Sequence, residues 1–126
     1  MSRGLGSIER SILEVFDRSP HSLSGYIARL GVDAGILLST ERVTQLVHNR
    51  GDVTRSNIVA VNRSLNRLYD RFLIVPVTYG RYRIRIWATP NSAKQFLQAM
   101  VHEFGDSSLT DKEMALLRLL ESRIGP

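Results

Sequence analysis

The sequence predicts an α+β domain that is mainly α-helical, and three observations predict it. Apolar residues recur at helical spacing through most of the 126 residues, as they do where helices bury one face. One short stretch breaks that rhythm: Tyr82, Ile84 and Ile86 alternate with Arg81, Arg83 and Arg85, the period of a strand. Turn-forming clusters such as "RSPHS", "NRGD" and "FGDSS" divide the segments. The length suits one domain with a real core and is too short for two.

Residues 5–18 read as a first helix, with Leu5, Ile8, Ile12, Leu13, Val15 and Phe16 near helical spacing. A short helix is expected at "LSGYIARL" (23–30), closed by Gly31; "GVDAGILL" reads either as loop or as a brief strand. Ser39 or Thr40 then caps a helix to about Asn49 that buries Val43, Leu46 and Val47. After "NRGD", Thr54 is the expected N-cap of a long helix running to about Phe72. At 100° per residue, Ile58, Val61, Leu65, Leu68, Tyr69 and Phe72 form its apolar side. Ser56, Val59, Ala60, Arg63, Arg67 and Asp70 lie opposite.

A two-stranded hairpin follows, "LIVPVTYGRYRIRIWAT", with its turn expected at residues 78–80. It should have one apolar face and one arginine face, and Pro76 marks the first strand as an edge. Thr89 and Pro90 open another helix, with Pro90 at the first position, where a missing N–H costs nothing. Its expected buried side is Ala93, Phe96, Leu97, Met100, Val101 and Phe104. "TDKE" (110–113) is a capping box for a last helix to about Arg123.

Charge is distributed unevenly. The chain carries a net +5, but residues 50–90 hold eight arginines against Asp52 and Asp70, leaving +6 in that segment. The remainder has nine basic and ten acidic residues. A helix that needs only a wet outer face usually mixes signs, because opposite charges at i,i+4 stabilise it. Arg55, Arg63, Arg67 and Arg71 have only Asp70 beside them. A solvated face would explain one such helix alone; the same bias in the adjoining hairpin argues for a polyanionic partner.

Other functions find little support. There are no cysteines, so disulfides and thiolate zinc sites are excluded, as suits a reducing compartment. No apolar run approaches the roughly 20 residues that span a bilayer, and Glu9, Arg10 and Glu14 interrupt any signal-peptide core. His21, His48 and His102 are scattered without helical pairing, so no metal is expected. "RGLGS" lacks the lysine and preceding strand of a nucleotide loop, and no nucleophile motif is present. The expectation is a cytoplasmic, nucleoid-associated protein that is not an enzyme and needs no cofactor. Tyr79 and Tyr82 suit either hairpin packing or base stacking, whereas Trp87 belongs to the core.

At "STERVTQLVHNRGDVTRSNIVAVNRSLNRLYDRFLIVPVTYGRYRIRIW" the chain resembles a winged helix-turn-helix DNA-binding domain of the kind found in small prokaryotic and mobile-element regulators. The resemblance covers roughly residues 5–88 and implies a domain over 1–90 with a helical extension over 91–126. It makes residues 54–72 the recognition helix and 73–88 a two-stranded wing. The chain departs from the pattern at Phe72, where such sequences usually carry a glycine, and in a longer segment 21–38.

From helix geometry and the resemblance together, the expected DNA-binding residues are Arg55, Ser56, Val59, Ala60, Arg63, Arg67, Arg71, Arg81 and Arg83. Arg55 and Arg63 suit guanine edges, and Val59 or Ala60 a thymine methyl. Arg67, Arg71, Arg81 and Arg83 suit phosphates. The last helix is apolar around most of its circumference, so Leu116, Leu119 and Leu120 are the expected dimerisation residues. A helix wedged in the monomer core is the other reading. The function expected is sequence-specific binding of double-stranded DNA by a homodimeric transcriptional regulator. Two alternatives stay open: DNA binding for plasmid or mobile-element replication or partition, and a winged-helix adaptor that binds protein, as an antiactivator does.

Overall fold

The computed structural model describes residues 6–18, 37–79 and 84–125. Among the described residues five α-helices pack around a small antiparallel sheet: α1 (Ser7–Arg18), β1 (Leu38–Ser39), α2 (Thr40–His48), α3 (Arg55–Asp70), β2 (Val75–Tyr79), β3 (Ile84–Ala88), α4 (Pro90–Phe104) and α5 (Asp111–Ile124). A single 3₁₀ turn, Asp106–Ser108, links the last two helices. The fold class is therefore α+β and mainly helical. The expected helix at 23–30 and residue Leu5 lie outside the described residues.

The sheet runs in the order β1-β3-β2. Leu38 pairs with Trp87, and β2 pairs with β3 from Val75↔Ala88 to Tyr79↔Ile84. Pro76 thus sits on an edge strand, where its missing N–H leaves no ladder bond unmade. "GVDAGILL" ends in the brief strand β1. Thr78 and Tyr79, expected in the turn, are still paired as strand; Gly80 lies outside the described residues.

Strand alternation divides the core in two. Val75, Val77, Ile86 and Ala88 pack on Ala93, Phe96 and Leu97 of α4 and Leu117 and Leu120 of α5. On the opposite face Leu38 and Trp87 meet Ile12 and Phe16 of α1, Val43 of α2, and Val61, Leu65 and Leu68 of α3. The hairpin is therefore apolar on both faces near its base, not on one as the alternation of residues 81–86 suggested. That alternation covers the outer end of the hairpin, whereas its base is wedged between two helical layers. The Trp87 indole N–H, fully buried, donates to Thr40 Oγ1 at 2.9 Å, which satisfies a polar atom whose desolvation would otherwise be costly. The same bond fixes the start of α2 to the sheet.

Apolar positions at helix margins differ from the expectation. Leu46, Tyr69 and Phe104 are exposed, while Thr44, Ser64 and Ser92 are buried. Thr44 donates to Thr40 O at 2.7 Å, so its hydroxyl is satisfied within its own helix and its methyl can face the core. Small side chains at these places let helices approach, and the longer apolar neighbours are displaced outward. Among the described residues no helix is long and apolar enough to cross a membrane.

Candidate nucleic-acid interface

Helices α2 and α3 are joined by a turn that the sequence specifies closely. Asn49 adopts the left-handed conformation at φ 54°, which asparagine tolerates better than most residues. Its N–H donates to Leu46 O, and the Arg50 N–H donates to Gln45 O at 3.0 Å, satisfying the last carbonyls of α2. Gln45 Nε2 then donates to Gly51 O at 3.1 Å, and Arg42 Nη1 donates to Gln45 Oε1 at 3.2 Å. Side chains of α2 therefore hold the turn that launches α3.

Thr54 caps α3 as expected. Its hydroxyl accepts from Asn57 N at 3.1 Å, and Asn57 Oδ1 accepts from Thr54 N at 3.2 Å. This reciprocal pair usually employs Glu or Gln at the third position. Here the partner is neutral, and the first turn of α3 contains no acid. No acid of that turn offsets the positive end of the helix dipole.

From that end the outer face of α3 projects Arg55, Ser56, Val59 and Arg63, all exposed, with Ala60 half-buried beside them. Arg55 and Arg63 lie about 80° apart around the helix and about 12 Å apart along it. Among the described residues neither has a carboxylate within salt-bridge distance. Val59 between them is 43% exposed.

The other expected residues divide. Arg67 is also on the outer side, but its Nη1 lies 3.7 Å from Glu9 Oε1 of α1, with the two side chains 65% and 11% exposed. It links α1 to α3 instead of standing as a free cation. The sequence carried no signal of this, since 58 residues separate the pair. Arg71 is exposed at the C-cap of α3. Arg81 and Arg83 lie outside the described residues. Arg85 is exposed on β3, with its guanidinium carbon 5.7 Å from the centroid of the Trp87 ring, an arrangement of the cation–π kind.

The α3 C-terminus resolves the departure at Phe72. This residue is left-handed, φ 59°, as a glycine there would be. Its N–H donates to Tyr69 O and the Leu73 N–H to Leu68 O, both at 2.9 Å, the paired bonds that close a helix at a left-handed residue. The Phe72 ring packs on the sheet–α4–α5 core, and the Arg123 guanidinium of α5 lies 4.6 Å over it. A large side chain is thus held in a conformation it disfavours by packing at the junction of α3 and α5.

Of the three expected dimerisation residues, Leu120 is fully buried against its own chain, so it has no surface to offer a partner. Leu116 is half-buried at the edge of the same core. Leu119 is 40% exposed. The apolar circumference of α5 is explained mainly by packing on α4 and the sheet. Comparison of the chain with protein-family models, curated proteins and solved structures returned no match.

Proposed function

We propose that the protein binds double-stranded DNA sequence-specifically, as a transcriptional regulator of winged helix-turn-helix type. In this reading α2 and α3 form the helix-turn-helix, α3 enters the major groove, and the β2–β3 hairpin is the wing. One observation carries it: the exposed face of α3 presents Arg55, Val59 and Arg63 without acidic partners among the described residues, beside a helix N-terminus that has no acid in its first turn. The three-stranded order β1-β3-β2 beneath that helix is compatible with the same architecture.

The physical fit is straightforward. A major groove about 12 Å wide admits one helix, whose N-terminal half reaches base edges. Arg55 and Arg63 are the guanine readers, and Val59 meets a thymine methyl. Ser56 contacts a base or phosphate, and Ala60 leaves room for the backbone to approach. Arg71, with Arg81 and Arg83, holds phosphates. Arg67 is shared between Glu9 and the DNA, so it contributes less than its position suggests. A homodimer would pair this surface with a palindromic site, and Leu119 and Ile124 are the large apolar residues left exposed on α5 to meet a second copy.

Fluorescence anisotropy with duplex DNA over a range of salt tests the reading. Log K should fall linearly with log salt, by about 0.9 for each phosphate neutralised. Arg63→Ala should cost about 1–3 kcal/mol and relax discrimination at one base pair. A salt-independent affinity, or an Arg63→Ala protein that binds every sequence as the parent does, would remove the proposal and leave the protein-adaptor reading.

A further inference from the structure

A second concave surface lies away from the outer face of α3. A cleft of about 430 Å³ opens between the end of α3, the edge of the sheet and the first turns of α5. This is within the range of small-molecule sites, roughly 300–1,000 Å³. Tyr69, Val77 and Leu116 supply an apolar wall, and Arg85 and Lys112 supply two cations. Among the described residues neither cation has a carboxylate within salt-bridge distance.

The acid in the cleft is already engaged. Glu113 is buried, and its Oε1 accepts from Thr110 N at 2.8 Å and from Thr110 Oγ1 at 3.0 Å. Its Oε2 accepts from Thr78 Oγ1. Glu113 thus serves the capping box and the contact between α5 and the sheet.

We infer that this cleft binds a small aromatic carboxylate, its anionic group held by Arg85 and Lys112 and its ring laid against Tyr69, Val77 and Leu116. An apolar wall with two cations in the lining suits an amphipathic anion, and the Tyr69 ring offers an aromatic guest an offset stacking surface. The carboxylate suits the Arg85 guanidinium in a two-bond geometry that an ammonium alone does not provide. The cleft joins the last turn of the arginine-bearing helix to α5, so occupancy would brace the two. Its existence does not depend on DNA being the partner of α3, and it is tested on the free protein.

Titration of the full chain with 2-naphthoate, followed by amide chemical shifts, should give saturable changes centred on Tyr69, Val77, Lys112 and Leu116. 2-Naphthamide, which keeps the ring and loses the charge, should bind at least about tenfold more weakly, as expected for losing a charge-assisted contact. Lys112→Gln and Arg85→Gln should each weaken naphthoate by about the same factor while the spectrum remains that of the folded chain. Leu116→Trp, which fills the cleft, should abolish binding. Equal binding of naphthoate and naphthamide overturns the inference, as do shifts that fail to saturate or map elsewhere. Two folded glutamine variants that both retain the parent affinity also overturn it. Inorganic phosphate, which lacks the ring, should produce no saturable change at the same concentrations, and saturable binding there would overturn the assignment to an aromatic guest.

Discussion

Helices α3 and α5 are built alike and finished differently. Each begins at a threonine N-cap with a reciprocal side-chain box, Thr54 with Asn57 and Thr110 with Glu113. Each buries one apolar side, Val61, Leu65 and Leu68 in one case and Leu117 and Leu120 in the other. The exposed surface of α5 mixes Asp111, Lys112 and Arg118, and its first turn contains Asp111 and Glu113. The exposed surface of α3 carries Arg55, Arg63, Arg67 and Arg71 against Asp70, and no acid opens it. Folding requires the caps and the apolar stripes, which are shared. Arg67 takes part in the fold through Glu9, whereas Arg55 and Arg63 have no such pairing among the described residues, and the proposed function assigns those two to a partner of α3.

Charge reversal breaks the comparison most sharply. A double variant, Arg55→Glu with Arg63→Glu, should lower duplex affinity on the order of a hundredfold or more, since two groove contacts become repulsive. Arg118→Glu on α5 alters net charge by the same amount as either single change, and it should leave affinity within about twofold at physiological salt, where charges beyond roughly 8 Å are screened. Anisotropy on all three proteins, with circular dichroism as a fold control, reads the contrast. Losses in proportion to the charge change, with Arg118→Glu costing about half the free energy of the α3 double variant, would mean that only net charge matters, and the groove placement of α3 would fall.

The two helices also end differently. Helix α5 stops at Gly125, φ 113°, whereas α3 stops at Phe72, φ 59°. Glycine accepts positive φ freely, but phenylalanine is strained there. Packing of the Phe72 ring beneath Arg123 must compensate. Phe72→Ala and Phe72→Gly both delete the ring, so the difference between them isolates the backbone. The glycine variant should be the more stable by about 1 kcal/mol in urea unfolding. An alanine variant equal to or more stable than the glycine one would show that the strain is relieved by local rearrangement.

Much of this was legible in the chain because it depends on neighbours in sequence. The caps at Ser39, Thr54, Thr89 and Thr110 form as read, and the exposed side of α3 follows from the 3.6-residue period. Pro76 correctly marked an edge. The features that escaped depend on partners far away. Nothing near Arg67 announces Glu9 of α1, and nothing near Tyr79 fixes how far β2 remains paired. Periodicity placed Leu46, Tyr69 and Phe104 inside, but an apolar stripe is buried only where another element covers it. Leu120 illustrates the reverse: a helix apolar around much of its circumference suggested a second chain, and α4 with the sheet already occupies most of that surface.

The smallest expected effect is also the most discriminating, because it moves stability and binding in opposite directions. Asn57→Asp gives α3 the acidic first turn that α5 already has. Aspartate retains an oxygen to accept from Thr54 N, now at 3.2 Å from Asn57 Oδ1, so the box survives. A negative charge at the positive end of the dipole should stabilise the fold by about 0.3–1 kcal/mol. The same charge would stand beside the polyanion at the groove entrance and should weaken duplex binding by a comparable free energy or more. The unfolding midpoint should therefore rise while affinity falls, and the loss of affinity should shrink as salt is raised. If α3 met an uncharged partner, the stability gain would appear without the salt-dependent loss. A neutral asparagine in this box leaves the helix end open to anions, and this pair of measurements decides whether they approach it.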